Sequence, residues 1–353
     1  MDPAARLGRC QLLVVTGKGG VGKTAVAAAL GRLLAASGRR TLVIEVDPRE
    51  NVHQMLAVPP SGGAIVPAGP LLWVQNLKPG QVLDEVVRER LKVGMLVRRV
   101  LSSPIYEQFS AGAPGLKELA ILGHAARLLR PAGSAGNGEL AGRPAGSAGD
   151  GEAAGRSAGS ASRSTSSSTS RRGGRRPGPA AAPELDVVVL DAPASGHGMR
   201  LLAAPRLVSE VIGDGPFGAL AGELAGFVAD PERCGIVVIT QAEEMPVEEA
   251  LELREALSAQ LGREPELLVV NGLFPPLGPG LEEPTPLEDE LVTLWRHRRF
   301  LNERELERLA RWWEGPRLEL PQLALERGPE LTAALQQLLA AGLAAAAGGN
   351  GGA

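Results

Sequence analysis

The chain has 353 residues, 44% of them hydrophobic and 3% aromatic, and a formal net charge of −3. These values predict a globular protein with a well-buried core, and the near-neutral charge gives no indication of nucleic-acid binding. The N-terminus lacks the apolar core of a signal peptide, and no apolar run reaches roughly 18 residues, so we expect a cytoplasmic protein without a membrane span. The two cysteines, Cys10 and Cys234, are far apart in sequence and are typical of a reducing compartment.

The first predicted strand, residues 12–15, leads into a loop with every position of the G-x-x-x-x-G-K-T phosphate-binding motif. The helix predicted after it covers residues 25–36. In such loops backbone N–H groups surround the β-phosphate, Lys23 reaches the β- and γ-phosphates, and the Thr24 hydroxyl completes a Mg²⁺ shell. The predicted nucleotide-binding residues here are Gly17, Lys18, Gly19, Gly20, Val21, Gly22, Lys23, Thr24 and Ala25.

Lys18, directly after Gly17, gives the loop a second lysine. In nucleotidases with this deviant motif, the extra lysine reaches the phosphates of the nucleotide, commonly in the partner subunit of a dimer. This role is a property of the class and does not follow from spacing. An exposed loop lysine is the alternative that the residues leave open.

The strand predicted over residues 41–46 is apolar enough to be buried in a parallel sheet. Asp47 follows it, at the sheet edge where open α/β proteins bind their ligands. A catalytic carboxylate and a turn residue are both compatible with this position. Residues 71–74 predict a short third strand.

Two helices are predicted next, over residues 81–101 and 115–130. They form either a small helical subdomain over 81–130 or an ordinary cover of the sheet. Residues 131–183 are rich in Gly, Ala, Ser, Arg and Pro and nearly lack large apolar side chains, which predicts a disordered insertion within one domain. Because no aromatic residues alternate with its arginine pairs, we expect no nucleic-acid partner.

An apolar strand over residues 186–191 ends in Asp191, the Walker B pattern of a carboxylate that holds Mg²⁺ directly or through water. The Gly-rich turn predicted after it contains Ser195 and His197 and is typical of a switch that senses the γ-phosphate. A zinc site at His197 is not favoured, because no cysteine or acidic cluster accompanies it.

Two more buried strands are predicted over residues 235–240 and 267–270. Asn271 follows the second, where its amide would pair with the adenine edge or form a turn. The remaining predicted elements are helices over 243–261, 287–313 and 330–347, a strand or loop over 318–321, and a flexible tail over 344–353. This order predicts an α/β P-loop NTPase with a mostly parallel central sheet flanked by helices, plus a small helical insertion.

Three blocks of residues match a known family. They are Lys18-Gly19-Gly20-Val21-Gly22-Lys23-Thr24, Asp47-Pro48-x-x-Asn51, and Asp191-x-x-x-Ser195-Gly196-His197 followed by Met199-Arg200-Leu201-Leu202. The chain resembles the ArsA-type ATPases, which include bacterial arsenical pump-driving ATPases and the eukaryotic ATPase that delivers tail-anchored membrane proteins. The first block is shared with MinD and ParA, whereas the third is specific to the ArsA group.

The resemblance implies one Mg²⁺-dependent ATPase domain over residues 1–353 that works as a nucleotide-gated homodimer. Lys18 would reach phosphate across the dimer, and Asp47 would orient and polarise the attacking water. Asp191 and Thr24 would serve the Mg²⁺ site. ATP would close the dimer and drive an anion pump or a membrane-protein client.

The resemblance also implies that Asn271 contacts adenine, with the backbone near Pro321 as a weaker candidate. The sequence departs from the family at the first switch, where Glu45 and the Arg49-Glu50 pair replace small and His-containing residues. It also lacks a C-x-x-C pair for a zinc-clasped dimer and the cysteine triad of an arsenite site. Arsenite coupling and tail-anchor capture therefore both lack their chemical signatures. A MinD/ParA-like positioning ATPase and a targeting factor for apolar membrane segments are the alternatives.

Overall fold

A computed structural model describes residues 3–47, 49–90, 115–129, 184–193, 195–212, 216–278 and 290–348. The strands of this part of the chain are β1 (Leu12–Gly17), β2 (Thr41–Glu45), β3 (Val66–Gly69), β4 (Leu72–Asn76), β5 (Val187–Asp191), β6 (Cys234–Thr240), β7 (Leu267–Leu273) and β8 (Arg317–Pro321). Its helices are α1 (Pro3–Arg9), α2 (Lys23–Ala36), α3 (Val52–Met55), α4 (Pro79–Arg90), α5 (Leu116–Leu128), α6 (Ser195–Ile212), α7 (Pro216–Ala229), α8 (Glu244–Leu261), α9 (Glu290–Trp312) and α10 (Pro329–Gly348).

The strands form one eight-stranded sheet in the order β3-β4-β2-β5-β1-β6-β7-β8. Every neighbouring pair is parallel except β3 and β4. The parallel strands therefore all end at the same edge, which we call the carboxyl edge of the sheet. The predicted fold class, an α/β P-loop NTPase with a mostly parallel sheet, is confirmed.

Apolar side chains alternate between the two faces of the sheet, because successive residues of a strand point in opposite directions. Leu13 and Val15 of β1 pack in the layer that contains α2, α3 and α10. Leu12 and Val14 pack in the opposite layer, with α5, α6, α7 and α8. Both faces are covered, which explains why the central strands read as continuous apolar runs in the sequence.

The sequence missed the antiparallel edge strand β3, the short helices α1 and α3, and helix α7. The third predicted strand is confirmed as β4, although it covers Leu72–Asn76. The expected turn after Asp191 is wrong in form, because helix α6 begins at Ser195. Gly198 lies in the first turns of that helix, where an added Cβ would collide with the Thr16 hydroxyl of β1. This glycine therefore permits close helix–strand packing and does not mark a turn.

Several sequence predictions fall partly or wholly outside the described residues. The helix predicted over 81–101 is described only as α4, and the insertion predicted over 131–183 is not among these residues. Helix α10 continues to Gly348, so the expected flexible tail is helical in its first part. In the described ranges, no helix has the length and apolar character needed to cross a membrane.

Candidate nucleotide-binding site

The phosphate-binding loop connects β1 to α2 at the carboxyl edge of the sheet. Gly17 ends β1 with φ +145°, and an added Cβ would collide with the Ile239 carbonyl of the neighbouring strand β6. Gly22, with φ +93°, precedes α2, and an added Cβ there would collide with the Asn271 amide. Both positions require glycine, because a positive φ and a close approach exclude a side chain. The N-terminus of α2 is thereby directed into the loop, as an anion-binding site requires.

Lys23 and Thr24 begin α2 and point to two different partners. The Lys23 ammonium donates a hydrogen bond to the Lys18 carbonyl at 2.8 Å, which holds the lysine across its own loop. Burial lowers the pKa of Lys23, and the negative charges of Asp191, Asp47 and Glu249 oppose that shift. The Thr24 hydroxyl donates to the Asp191 carboxylate, with 2.7 Å between Oγ1 and Oδ2.

Asp191 is buried at the end of β5, with 5% of the residue exposed. Burial raises the pKa of this carboxyl to about 7, with a further rise from Glu45 and Asp47 and an opposing effect from Thr24 and Lys23. Its second oxygen, Oδ1, is buried and has no hydrogen-bond partner among the described residues. An orphaned carboxylate oxygen beside a threonine hydroxyl is an oxygen donor set that Mg²⁺ prefers. The residues present therefore fit the predicted Mg²⁺ site.

Asp47 lies just beyond β2 with an exposed side chain. Its Oδ1 accepts a hydrogen bond from the Arg49 backbone N–H at 2.7 Å, which is the turn geometry that the sequence left open. Its backbone carbonyl accepts a hydrogen bond from the Asn76 amide at 2.8 Å. Asp47 also lines the same cleft as the phosphate-binding loop. Its catalytic role stays a prediction.

Lys18 forms an ion pair with Glu249 of helix α8, with 2.7 Å between Nζ and Oε1. About a quarter of each side chain is exposed, at 28% and 27%. The ammonium therefore has a carboxylate partner in this structure, and its side chain is half-buried. Its contact with the nucleotide of a partner subunit stays a prediction.

Asn271 lies near the end of β7, and Pro321 ends the neighbouring strand β8. The Asn271 amide donates to the Val21 carbonyl of the phosphate-binding loop at 2.9 Å. This contact gives the asparagine a role in holding the loop that sequence reasoning missed. Contact of Asn271 or Pro321 with adenine stays a prediction.

A cleft of about 490 Å³ connects these residues. Its lining includes the predicted residues Gly19, Gly20, Gly22, Lys23, Thr24, Ala25, Asp47, Asp191, Asn271 and Pro321. Gly17, Lys18 and Val21 are not part of the lining. The sequence missed its apolar wall, formed by Met55, Leu323, Leu331 and Leu335. The backbone at Ser195 and His197 is helical, and the side chains of these two residues are outside the described part.

The family profile described as the CobQ/CobB/MinD/ParA nucleotide binding domain matches residues 12–124. That range contains the phosphate-binding loop and Asp47. The chain is 28% identical over 264 residues to ATPase BagA of Mycobacterium tuberculosis, a match of 72% of this chain and 63% of the relative. It is 26% identical over 281 residues to an arsenical pump-driving ATPase of Escherichia coli, a match of 74% of this chain and 39% of the relative.

The chain therefore contains a P-loop domain similar to the CobQ/CobB/MinD/ParA nucleotide binding domain, and over about three quarters of its length it resembles ArsA-type ATPases. A shorter match, 29% identical over 121 residues, relates 30% of it to 31% of ATPase GET3C of Arabidopsis thaliana. The chain matches less than two thirds of the length of each of these relatives. The resemblance that the sequence blocks indicated is confirmed, at low identity.

Proposed function

We propose that this protein is an ATPase that hydrolyses Mg²⁺-bound ATP in the cleft at the carboxyl edge of the sheet and couples the reaction to pairing of two copies. One observation carries the proposal: three separate elements bring a phosphate-binding loop, the buried Asp191 carboxylate and the Asp47 carboxylate to one cleft. Loop glycines and the α2 N-terminus would hold the phosphates, with Lys23 as a positive charge among them.

Asp47 would orient and polarise the water that attacks the γ-phosphate. Asp47 is exposed and lines the cleft, whereas Asp191 is buried and bonded to Thr24. The two carboxylates therefore suit different tasks, because only an accessible oxygen can accept a hydrogen bond from a mobile water. Catalysis would depend on positioning and charge stabilisation, as in phosphoryl transfer generally.

Thr24 Oγ1 and the Asp191 carboxylate would hold Mg²⁺. The ion, when bound, neutralises phosphate charge. The unpartnered Oδ1 of Asp191 supports this assignment, because a buried carboxylate oxygen without a partner is costly.

Lys18 would leave Glu249 and reach the phosphates of a second copy when ATP is bound. Homodimer formation is thus proposed as the state in which the site is complete. The gain of a charged contact to phosphate would compensate for the loss of a partly exposed ion pair, which contributes little by itself.

We further propose that closure of the dimer drives a membrane partner, either an anion pump or a membrane-protein client. The name of the arsenical pump-driving relatives supports this direction. Direct arsenite binding by thiols of this chain is not supported, because Cys10 and Cys234 are both buried and burial raises their pKa, to about 11 and about 12. Cys10 precedes β1 and Cys234 begins β6, so both lie at the edge of the sheet opposite the cleft.

The decisive experiment replaces Asp47 with asparagine. We expect Asp47→Asn to lower the rate of ATP hydrolysis by about 100-fold while ATP binding persists, because the shape is kept and the polarising charge is lost. Asp230→Asn is a matched control, since Asp230 also accepts a backbone N–H two residues ahead, from Glu232 at 2.9 Å, but outside the cleft. Unchanged hydrolysis in Asp47→Asn would reject the assignment.

A further inference from the structure

Three polar side chains form a row across neighbouring strands at the carboxyl edge of the sheet. Asn76 of β4 is in register with Glu45 of β2, and Glu45 is in register with Asp191 of β5. All three are buried, with exposed fractions of 3%, 2% and 5%. Residues in register on neighbouring strands point to the same face. The row therefore faces α2 and the phosphate-binding loop, where Asp191 meets Thr24.

The Glu45 carboxylate binds backbone N–H groups at the end of the loop that connects β2 to α3. Its oxygens accept hydrogen bonds from the Asn51 backbone N–H at 2.9 and 2.8 Å and from the Val52 N–H at 3.2 Å. Helix α3 begins at Val52, and the Asn51 side chain makes no capping hydrogen bond to it. A buried side chain from the sheet thus supplies the cap that a local residue usually provides.

Asn76 forms a hydrogen bond to the beginning of the same loop, at Asp47. Its side-chain amide donates to the Asp47 carbonyl at 2.8 Å, and its backbone N–H donates to the Ser61 hydroxyl at 2.8 Å. Ser61 also contacts this loop, because its backbone N–H donates a hydrogen bond to the Glu50 carboxylate at 2.6 Å. The exposed Asp47 carboxylate therefore lies on a short loop that is fixed at both ends by buried groups.

We infer that Glu45 and Asn76 are positioning residues for Asp47. They hold the Asp47 loop (residues 47 and 49–51) so that the Asp47 carboxylate faces the cleft. This inference rests on the proposed function, because it assigns Asp47 the water-orienting role. Neither residue is part of the cleft lining. Both act through backbone atoms of the loop, and a displacement of about 1 Å in a reacting group is enough to lower a rate by up to about 100-fold.

The test compares Asn76→Ala and Glu45→Gln with Gln75→Ala. Gln75 is a matched control because it lies on the same strand with 7% exposed and its amide also donates to a backbone carbonyl, that of Gly63 at 2.9 Å. We expect kcat to fall between about 10- and 100-fold in the two test variants, with the Kd for ATP changed by less than about threefold. Gln75→Ala should lose thermal stability and keep its kcat. A wild-type kcat in both test variants, or an equal loss in Gln75→Ala, would overturn the inference.

A double-mutant cycle separates this inference from the proposed function. In an Asp47→Asn background, Asn76→Ala should lower kcat no further, because the residue acts only through Asp47. A further loss of the same size as in the wild-type background would show that Asn76 acts by another route and would overturn the inference. If Asp47→Asn alone keeps full activity, the proposed role of Asp47 fails, whatever the Asn76 variant does.

Discussion

The Thr24 hydroxyl donates to the Asp191 carboxylate across 2.7 Å, although the two residues are 167 positions apart in sequence. This hydrogen bond joins the start of α2 to the end of β5. It uses one carboxylate oxygen of Asp191 and leaves the other buried beside the cleft without a partner in the described part of the chain. The pair would therefore suit the proposed Mg²⁺ site, and it gives the ion-free protein a buried carboxyl whose ionisation is unfavourable.

Stability of the ion-free protein should depend on pH through Asp191. Its pKa in the folded protein is about 7, raised from 3.8 by burial, so the folded state binds this proton more tightly than the unfolded state. Tighter proton binding by the folded state stabilises it at low pH, and this stabilisation is lost as pH rises between about 4 and 7. The substituted side chain cannot titrate, so we expect the Tm of the Asp191→Asn variant minus that of the wild type to increase as pH rises through this interval. The difference should level off above it.

Thermal unfolding in the presence of a chelator and without nucleotide measures this difference. Asp230→Asn, at an exposed turn, is the control for a general effect of removing one carboxylate. Parallel pH curves for Asp191→Asn and wild type would show that the Asp191 carboxyl does not titrate in this interval.

The ion pair between Lys18 and Glu249 should oppose ATP-dependent pairing of two copies. Glu249→Gln removes the charge that holds Lys18, and we expect ATP-dependent self-association to strengthen roughly two- to fivefold at low salt, as for a partly exposed ion pair. The difference should shrink at high salt, because screening already weakens the pair in the wild type.

Sedimentation velocity with ATP in the Asp47→Asn background, where hydrolysis is slow, measures this effect. Glu252→Gln is the matched control on the same helix, with an exposed side chain. Lys18→Ala should abolish the association. Association that persists in Lys18→Ala would exclude the lysine from the dimer contact.

Asn271 should affect binding of the phosphates as well as binding of the base. Its amide holds the Val21 carbonyl, so Asn271→Ala frees the phosphate-binding loop. We expect weaker binding of both ATP and inorganic tripolyphosphate, each by about 10-fold, which is the loss of roughly one hydrogen bond at a buried backbone carbonyl. Calorimetric titration of the two ligands makes the comparison.

Asn302→Ala is the matched control for Asn271, because the Asn302 amide donates to the Ala242 carbonyl at 2.9 Å outside the cleft lining. A loss confined to ATP would assign Asn271 to the base alone. Equal binding of tripolyphosphate by Asn271→Ala and wild type would therefore contradict the loop-holding role.

Much of the fold could be predicted because its signals are local. The apolar runs of β1, β2, β5, β6 and β7 are visible in the sequence since a parallel strand is buried on both faces. Edge strand β3 was missed because it is short and contains Pro67, which weakens its strand signal. The glycines after Asp191 suggested a turn, whereas the close approach of Gly198 to Thr16 is a contact between distant segments.

The sequence by itself determined the chemistry of the phosphate-binding loop, because spacing, glycines and Lys23-Thr24 all lie within one strand–loop–helix unit. Only the tertiary structure decided which distant groups meet it. Strand order brings Asn76, Glu45 and Asp191 into one row, and helix packing brings Glu249 to Lys18. Contacts of this kind depend on register between strands and on how helices pack. Neither is encoded in the spacing of residues along one segment. The contacts by which Asn76 and Glu45 position the Asp47 loop are therefore visible only in the folded chain.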